Sequence, residues 1–263
     1  MKAKKTFALL CCLCCILFCL CGCSSNDSAG HSETDAQDSL NGDSNSKPEV
    51  PSPSNEEMMK KAVLQYPSQN NEWKYNVYDC YIEITGYIGE NVETLVIPDS
   101  IESLPVWSFN PRLSFSDTVK STVKSVVFPK HVLIIGEFAF HNFKNLEKVI
   151  LSNDLIKIEK DAFSYCRSLN SISIPETLRI IGDDAFEYCS SLKEIILPAS
   201  VQEIGDSAFF FTNNEEGIEL TVYNSKMSFS NNGFSGFKVI RGYAGSTAAE
   251  FAAKKGVPFE VIQ

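Results

Sequence analysis

The chain has 263 residues, room for one sizeable domain with accessory segments. It holds 33 acidic against 23 basic residues, a formal charge of -10; residues 1–22 carry Lys2, Lys4 and Lys5 but no acid, so without them the balance is -13. That sign opposes phosphate backbones and anionic lipid surfaces, so neither nucleic-acid binding nor electrostatic membrane adsorption is expected.

Three lysines in the first five residues precede an apolar run from Phe7 to Leu20, the basic-then-hydrophobic order of an export signal. The run falls short of the ~20 residues that span a bilayer. It ends in Leu20-Cys21-Gly22-Cys23, which resembles the bacterial lipobox, with Cys21 in place of the commoner alanine or serine. The resemblance implies cleavage after residue 22, a diacylglyceryl thioether on Cys23 and a membrane anchor made of acyl chains. Residues 23–55 follow as an acidic, serine-rich tether, with too few apolar side chains to offset the entropy of ordering. As a coil it reaches on the order of 35 Å, and stretched ~100 Å.

Ten cysteines do not make a disulfide framework once they are located. Seven lie between Cys11 and Cys23, leaving Cys80, Cys166 and Cys189, without the paired CxxC spacing of a zinc site.

The centre of the chain repeats every 23 residues. Ala139-Phe140, Ala162-Phe163, Ala185-Phe186 and Ala208-Phe209 keep that step, as do Ile135, Ile158, Ile181 and Ile204. Val126, Val149, Ile172 and Ile195 pair with Phe128, Leu151, Ile174 and Leu197 in the same phase, with Pro129, Pro175 and Pro198 after them. Such a period is the mark of a stack of coils. In Leu146-Glu147-Lys148-Val149-Ile150-Leu151 the alternation sends Val149 and Leu151 to one face, Lys148 and Ile150 to the other. A second extended piece leads to Gly136, Gly182 or Gly205, where the chain turns; Glu159 in that place shows that positive φ is not required there. A turn or 3₁₀ piece ending in Ala-Phe closes each unit. No unit of this size buries its apolar side alone, so neighbours bury each other's.

The unit resembles the BspA-type subfamily of bacterial leucine-rich repeats: Leu-x-x-Ile-x-Ile-Pro, then Val-x-x-Ile-Gly, then Ala-Phe-x-x-Cys. The likeness covers roughly residues 80–262; Phe143 stands once for the cysteine and Ser152 once for the proline. It implies a leucine-rich-repeat solenoid of short parallel strands, and, in at least some members, adhesion to host or matrix proteins or to other cells. Cys166 and Cys189 then read as small buried fillers.

The expected organisation is a signal at 1–22, the tether at 23–55, an N-terminal cap at 56–94 with a hairpin over Trp73–Thr85, the solenoid at 95–222 and a C-terminal cap at 223–263. Phe109 and Phe140 stand 31 residues apart, so the first unit carries an insertion of eight between Asn110 and Ser121. Leu220-Thr221-Val222 and Lys238-Val239-Ile240 are the last expected strands. Thr247-Ala-Ala-Glu250 has capping-box spacing, and Gly256 and Pro258 end a short helix at 247–255. Gly242 to Thr247 also resembles the usual ending of the subfamily.

Nothing in the chain has the spacing of a catalytic motif, and no cofactor or metal is expected. His131 and His141 read as surface imidazoles, and Asp183, Asp184 and Asp206 as solvated or capping turn acids. The outward strand positions make a better candidate: Val96, Val127, Ile150, Ser173 and Ile196 form one column, flanked by Lys148 and Glu194, and aliphatics facing water can form a contact patch. Leu113 and Phe115 in the insertion are a second candidate, as a binding loop or as side chains folded back onto the coil. The leading expectation is a lipid-anchored module at the bacterial cell surface that binds an unknown protein or cell-surface ligand, reaching the membrane through Cys23. The alternatives are an enzyme and a structural or sensing component of the envelope.

Overall fold

The computed structural model describes residues 55–90, 92–210, 217–230 and 236–263; the export segment, Cys23 and the tether up to residue 54 lie outside them. The chain divides into two units at Lys61. Of the first, the described part is helix α1 (Asn55–Lys61), with an ion pair from Lys60 to Glu56 at 2.7 Å.

The second unit opens with three antiparallel strands, β1 (Leu64–Gln69), β2 (Trp73–Tyr78) and β3 (Ile82–Tyr87). The expected hairpin is β2–β3, which buries Trp73, Tyr75, Val77, Ile82 and Ile84 on one side. After it come β4 (Thr94–Val96), β5 (Ser100–Ile101), β6 (Leu104–Ser114) and helix α2 (Asp117–Thr122). The repeats then supply pairs of short strands: β7 (Ser125–Val127) and β8 (Ile134–Ile135), β9 (Lys148–Ile150) and β10 (Lys157–Ile158). The next pairs are β11 (Ser171–Ile172) with β12 (Ile180–Ile181), and β13 (Glu194–Leu197) with β14 (Glu203–Ile204). Then follow β15 (Ile218–Val222), β16 (Ser228–Phe229), β17 (Phe237–Gly242), helix α3 (Thr247–Lys255) and β18 (Phe259–Val261).

These elements make a stack of coils with two parallel ladders, one on each broad side. Along one side β6, β8, β10, β12, β14 and β16 pair in order, and β3 joins β6 in parallel, so the hairpin continues that sheet and covers its first coil. On the other side β4, β7, β9 and β11 form one parallel sheet, and β13, β15, β17 and β18 another. Period-two alternation turns Leu95, Val126, Val149 and Ile195 inward, where they are buried.

The third side is the Ala-Phe corner. Here the turns are not 3₁₀ helix, because two residues of each turn are left-handed: Phe138 and Asn142, then Asp161 and Tyr165, then Asp184 and Tyr188, with φ between 54° and 67°. For a residue with a side chain this conformation costs about 1–2 kcal/mol. It is held by main-chain bonds along the stack: the N–H groups of Phe138, Phe140 and Asn142 reach the carbonyls of Lys160, Ala162 and Ser164 at 3.0, 2.8 and 2.8 Å. One coil further on, Asp161, Phe163 and Tyr165 donate to Asp183, Ala185 and Glu187 at 2.9, 2.8 and 2.7 Å. Inside the corner the rings stack with little tilt, Phe140–Phe163, Phe163–Phe186 and Phe186–Phe209 being 5.6, 5.5 and 5.4 Å apart.

Departures from the repeat are absorbed locally. Where serine replaces proline, buried Ser152 donates from Oγ to the Lys130 carbonyl at 2.6 Å and accepts the Asp154 N–H. The insertion lengthens β6 and adds α2, capped by Ser116. At the far end α3 occupies the expected residues, but its cap is Ser246, whose Oγ accepts the Ala249 N–H; Thr247 instead donates to the Met227 carbonyl at 2.7 Å. Gly256 is left-handed, and the N–H groups of Gly256 and Val257 close the helix on Ala253 and Ala252, the two bonds of a Schellman ending. The expected last strand is not the last: β18 adds to β17 in parallel.

The glycines before each corner have ordinary φ, and the reason for them is proximity of the neighbouring coil. A Cβ on Gly182 would lie 2.7 Å from the Lys160 amide nitrogen and 2.8 Å from the Glu159 carbonyl carbon. Gly182→Ala should therefore lower unfolding free energy by about 1–3 kcal/mol, because main chain has to shift. Glu159→Ala, at the equivalent position, should change it by no more than about 0.5 kcal/mol. Urea denaturation of both variants decides, and equal costs would refute the contact explanation.

Candidate interaction face

The outward positions of the strand side are where the residues expected to bind a partner are found. Register places Val96 beside Val127 and Val127 beside Ile150, with Thr94, Ser125 and Lys148 in the adjoining column. Val96 is 61% exposed and Ile150 45%, with Val127 half-buried between them. Branched side chains suit a strand whether or not they bind anything, but three in register make one continuous apolar strip.

The strip does not run on unbroken to Ile196. Ile196 is 49% exposed, yet its strand β13 begins the second sheet, and no ladder joins it to β11. At the other junctions the start of each strand is tied to the coil before: Ser125 N–H to the Glu93 carbonyl at 3.0 Å, Lys148 to Lys124 at 3.1 Å, Asn170 to Glu147 at 3.3 Å and Glu219 to Lys193 at 2.9 Å. Among the described residues no such bond ties Lys193 or Glu194 to Asn170, although on the opposite side β12 and β14 stay paired. The gap is a surface groove of about 530 Å³ whose lining includes Ser173, Glu176, Lys193, Glu194, Ile196 and Tyr223. Ser173 and Glu194, expected as members of a flat face, are the lips of this groove. Ile172 and Ile174 are only half-buried there, unlike the fully buried Ile195 and Leu197 across from them.

Beyond the groove the face turns ionic. Arg241 bridges Glu219 at 2.8 Å and Glu260 at 2.7 Å, and Lys238 also reaches Glu219 at 3.1 Å. Hydrogen bonds from Arg241 and Lys238 hold the Glu219 carboxyl below the usual carboxylate range. Sequence reasoning missed both this cluster and Tyr223. The alternation in Phe259-Glu260-Val261 after Pro258 was the available signal for the strand that brings Glu260 there.

The second candidate needs correcting. Leu113 and Phe115 are 6% and 8% exposed and form no binding loop. Phe115 packs against Phe140 and Phe143, with ring centroids 5.6 and 5.0 Å away, because lengthened β6 and α2 bring the insertion back over the first corner.

His141 also differs from expectation. It is half-buried between Phe138 and Tyr165, with Nδ1 2.6 Å from Ser164 Oγ. Ser164 is fully buried and donates to the Asp161 carbonyl at 3.0 Å. Histidine, serine and aspartate thus meet, but the hydroxyl faces its own turn and offers no nucleophile to a substrate. His131 stays exposed beside Asp154, 2.7 Å away. Asp183 accepts the Asp206 N–H at 2.7 Å, a capping role, and Lys160 pairs with Asp184 at 3.4 Å. Cys166 and Cys189 are free and fully buried, their thiols 3.3 and 3.2 Å from the Phe140 and Phe163 carbonyls. Burial pushes the Cys166 thiol up to about 12, far from a reactive thiolate.

Residues 111–240 match the family model of the BspA type leucine rich repeat region, in six copies. The repeats belong to the BspA type. A solved leucine-rich repeat protein of T. pallidum is similar over 73% of this chain and 97% of its own, with TM-score 0.55 and 24% identity. Another, from Bacteroides ovatus, is similar over 67% of this chain at 29% identity and TM-score 0.53; the match spans 47% of that longer protein. No curated protein matches in sequence. In the BspA-type pattern the cysteine after Ala-Phe is here a buried neutral thiol bonded to the coil before, and Phe143 fills the same space in the first full unit.

Burial holds His141 below the ordinary imidazole value; Lys120 acts in the same direction and Asp161 opposes. The unfolded chain therefore takes up the proton first, and stability present at pH 7.5 declines as pH falls through about 6.5. His141→Gln should flatten that decline in urea titrations at pH 7.5 and 5.5. An unchanged slope would mean that the imidazole does not contribute to it.

Proposed function

We propose that the chain is a lipid-anchored, surface-displayed interaction module, held at the membrane through Cys23 and adhering to proteins of a host, of the matrix or of other cells through its outward strand face. The observation that carries this reading is the exposed strip Val96, Val127 and Ile150, which no part of the described chain's ladder covers. Parallel coils hold these side chains at fixed spacing, so a partner pays little to find them ordered. The BspA-type repeats support the reading, since solenoids of this kind commonly act as binding scaffolds. The Leu20-Cys21-Gly22-Cys23 sequence supports an extracytoplasmic location at the bacterial cell surface, and two or three acyl chains at Cys23 would hold where one does not.

Bacteria displaying the full chain, laid on surfaces coated with defined extracellular-matrix proteins, test both parts. Cys23→Ala should release the protein into the medium. Lysine at Val96, Val127 and Ile150 together should leave it anchored and folded but reduce cell attachment at least ten-fold. Retention of the Cys23→Ala chain by the cells would contradict the anchor, and undiminished attachment of the lysine variant would contradict the face.

A further inference from the structure

The interrupted ladder leaves main-chain donors open on both lips of the groove. Among the described residues the N–H of Ile174 on one lip and the N–H of Lys193 on the other meet no main-chain partner, and no ladder joins β11 to β13. The neighbouring junctions are bonded, and the opposite sheet is closed, so the opening is confined to one side of one junction. An open strand edge is a template for another extended chain. Its apolar floor, from half-buried Ile174 and exposed Ile196, suits an aliphatic or aromatic side chain, and about 530 Å³ lies within the roughly 300–1,000 Å³ of ordinary ligand sites. Its charge is uneven: Glu176 and Glu194 stand against Lys193 alone, and none of the three makes an ion pair within the described chain.

From these three features we infer that the groove between Ser173 and Glu194 captures an extended peptide segment of a partner protein, one with an apolar side chain next to a lysine or arginine. Main-chain bonds to the open lips hold the peptide, the apolar residue enters the floor, and the basic residue meets Glu176 or Glu194, the division of labour known from strand addition. Ser173 stands in the column that Val127, Ile150 and Ile196 occupy elsewhere, so the smallest side chain of the column lines the opening. The inference rests on reading the strand side as an interaction face but uses a different part of it.

Two measurements on the full chain test it. In hydrogen exchange, the amides of Ile174 and Lys193 should exchange at least ten-fold faster than those of Ile150 and Glu219; equal protection would mean that the ladder is closed and would overturn the inference. The second uses an array of eight-residue peptides with Leu, Ile or Phe at alternate positions and Lys or Arg between, beside the same array with Asp or Glu between. The basic array should bind and the acidic array at least ten-fold more weakly. N-methylation of alternate peptide nitrogens, Ser173→Trp and Glu194→Lys should each weaken binding at least ten-fold, while lysine at Val96 and Val127 should not alter it. Equal binding of acidic peptides, indifference to N-methylation, or binding of a glycan array with the peptides silent would overturn it. Failure of attachment through Val96 and Val127 with peptide capture intact would count against the proposed adhesive strip, not against the groove.

Discussion

Everything in the repeat region depends on the contact between one Ala-Phe corner and the next. A single coil cannot bury its apolar side alone, so each phenylalanine depends on the rings above and below it for part of its burial. The 5.4–5.6 Å ring spacing is matched by the 2.8 Å bonds from Phe140, Phe163 and Phe186 to the alanine carbonyls of the next coils. These two spacings have to agree, since a ring in face contact and an amide in bonding distance are fixed to the same backbone. The left-handed residues on either side allow successive amides to point along the stack, and their conformational cost is offset by those bonds. The strand faces follow from this corner. A regular corner is nevertheless not sufficient for a closed strand side, since Phe163 and Phe186 stack at 5.5 Å although no ladder joins β11 to β13.

The same corner explains how the ends are made. At the N-terminal end Phe115 from the insertion replaces the ring that a previous coil would supply to Phe140 and Phe143, helped by Phe109 and Phe128. At the C-terminal end Phe251 of α3 stacks on Phe229, 4.6 Å away, and the helix dipole is matched by Glu250 in the first turn and Lys254 and Lys255 in the last. Both caps close the stack with aromatic rings rather than with polar surface alone.

Much of this was legible in the chain itself. Twenty-three-residue columns such as Ile135, Ile158, Ile181 and Ile204 announce inward strand positions because burial selects the same side chain in each coil. Helix α3 was readable from Gly256 and the lysines before it. What the sequence could not convey was conformation without a residue signature: Phe138 and Tyr165 are left-handed although neither is glycine, while Gly182 is not left-handed at all and answers to a neighbouring main chain. Insertions are also opaque, since Leu113 and Phe115 read the same whether they project or fold back. Of the candidate face, the column Val96–Val127–Ile150 followed from alternation. The groove did not, because a missing ladder bond between Asn170 and Lys193 is a property of two coils together; Ser173 among aliphatics was its only trace.

The coupling of neighbouring rings is therefore the quantity to measure, by a double-mutant cycle on Phe163 and Phe186 with urea unfolding at equilibrium. Each single alanine substitution should cost about 3–5 kcal/mol. If the corners hold the stack through ring-on-ring contact, the double variant should cost less than the sum of the two by about 0.5–1.5 kcal/mol. The separated pair Phe140 and Phe209 should be additive. Additive losses at Phe163 and Phe186 as well would show that each coil buries its ring independently, and would contradict the account.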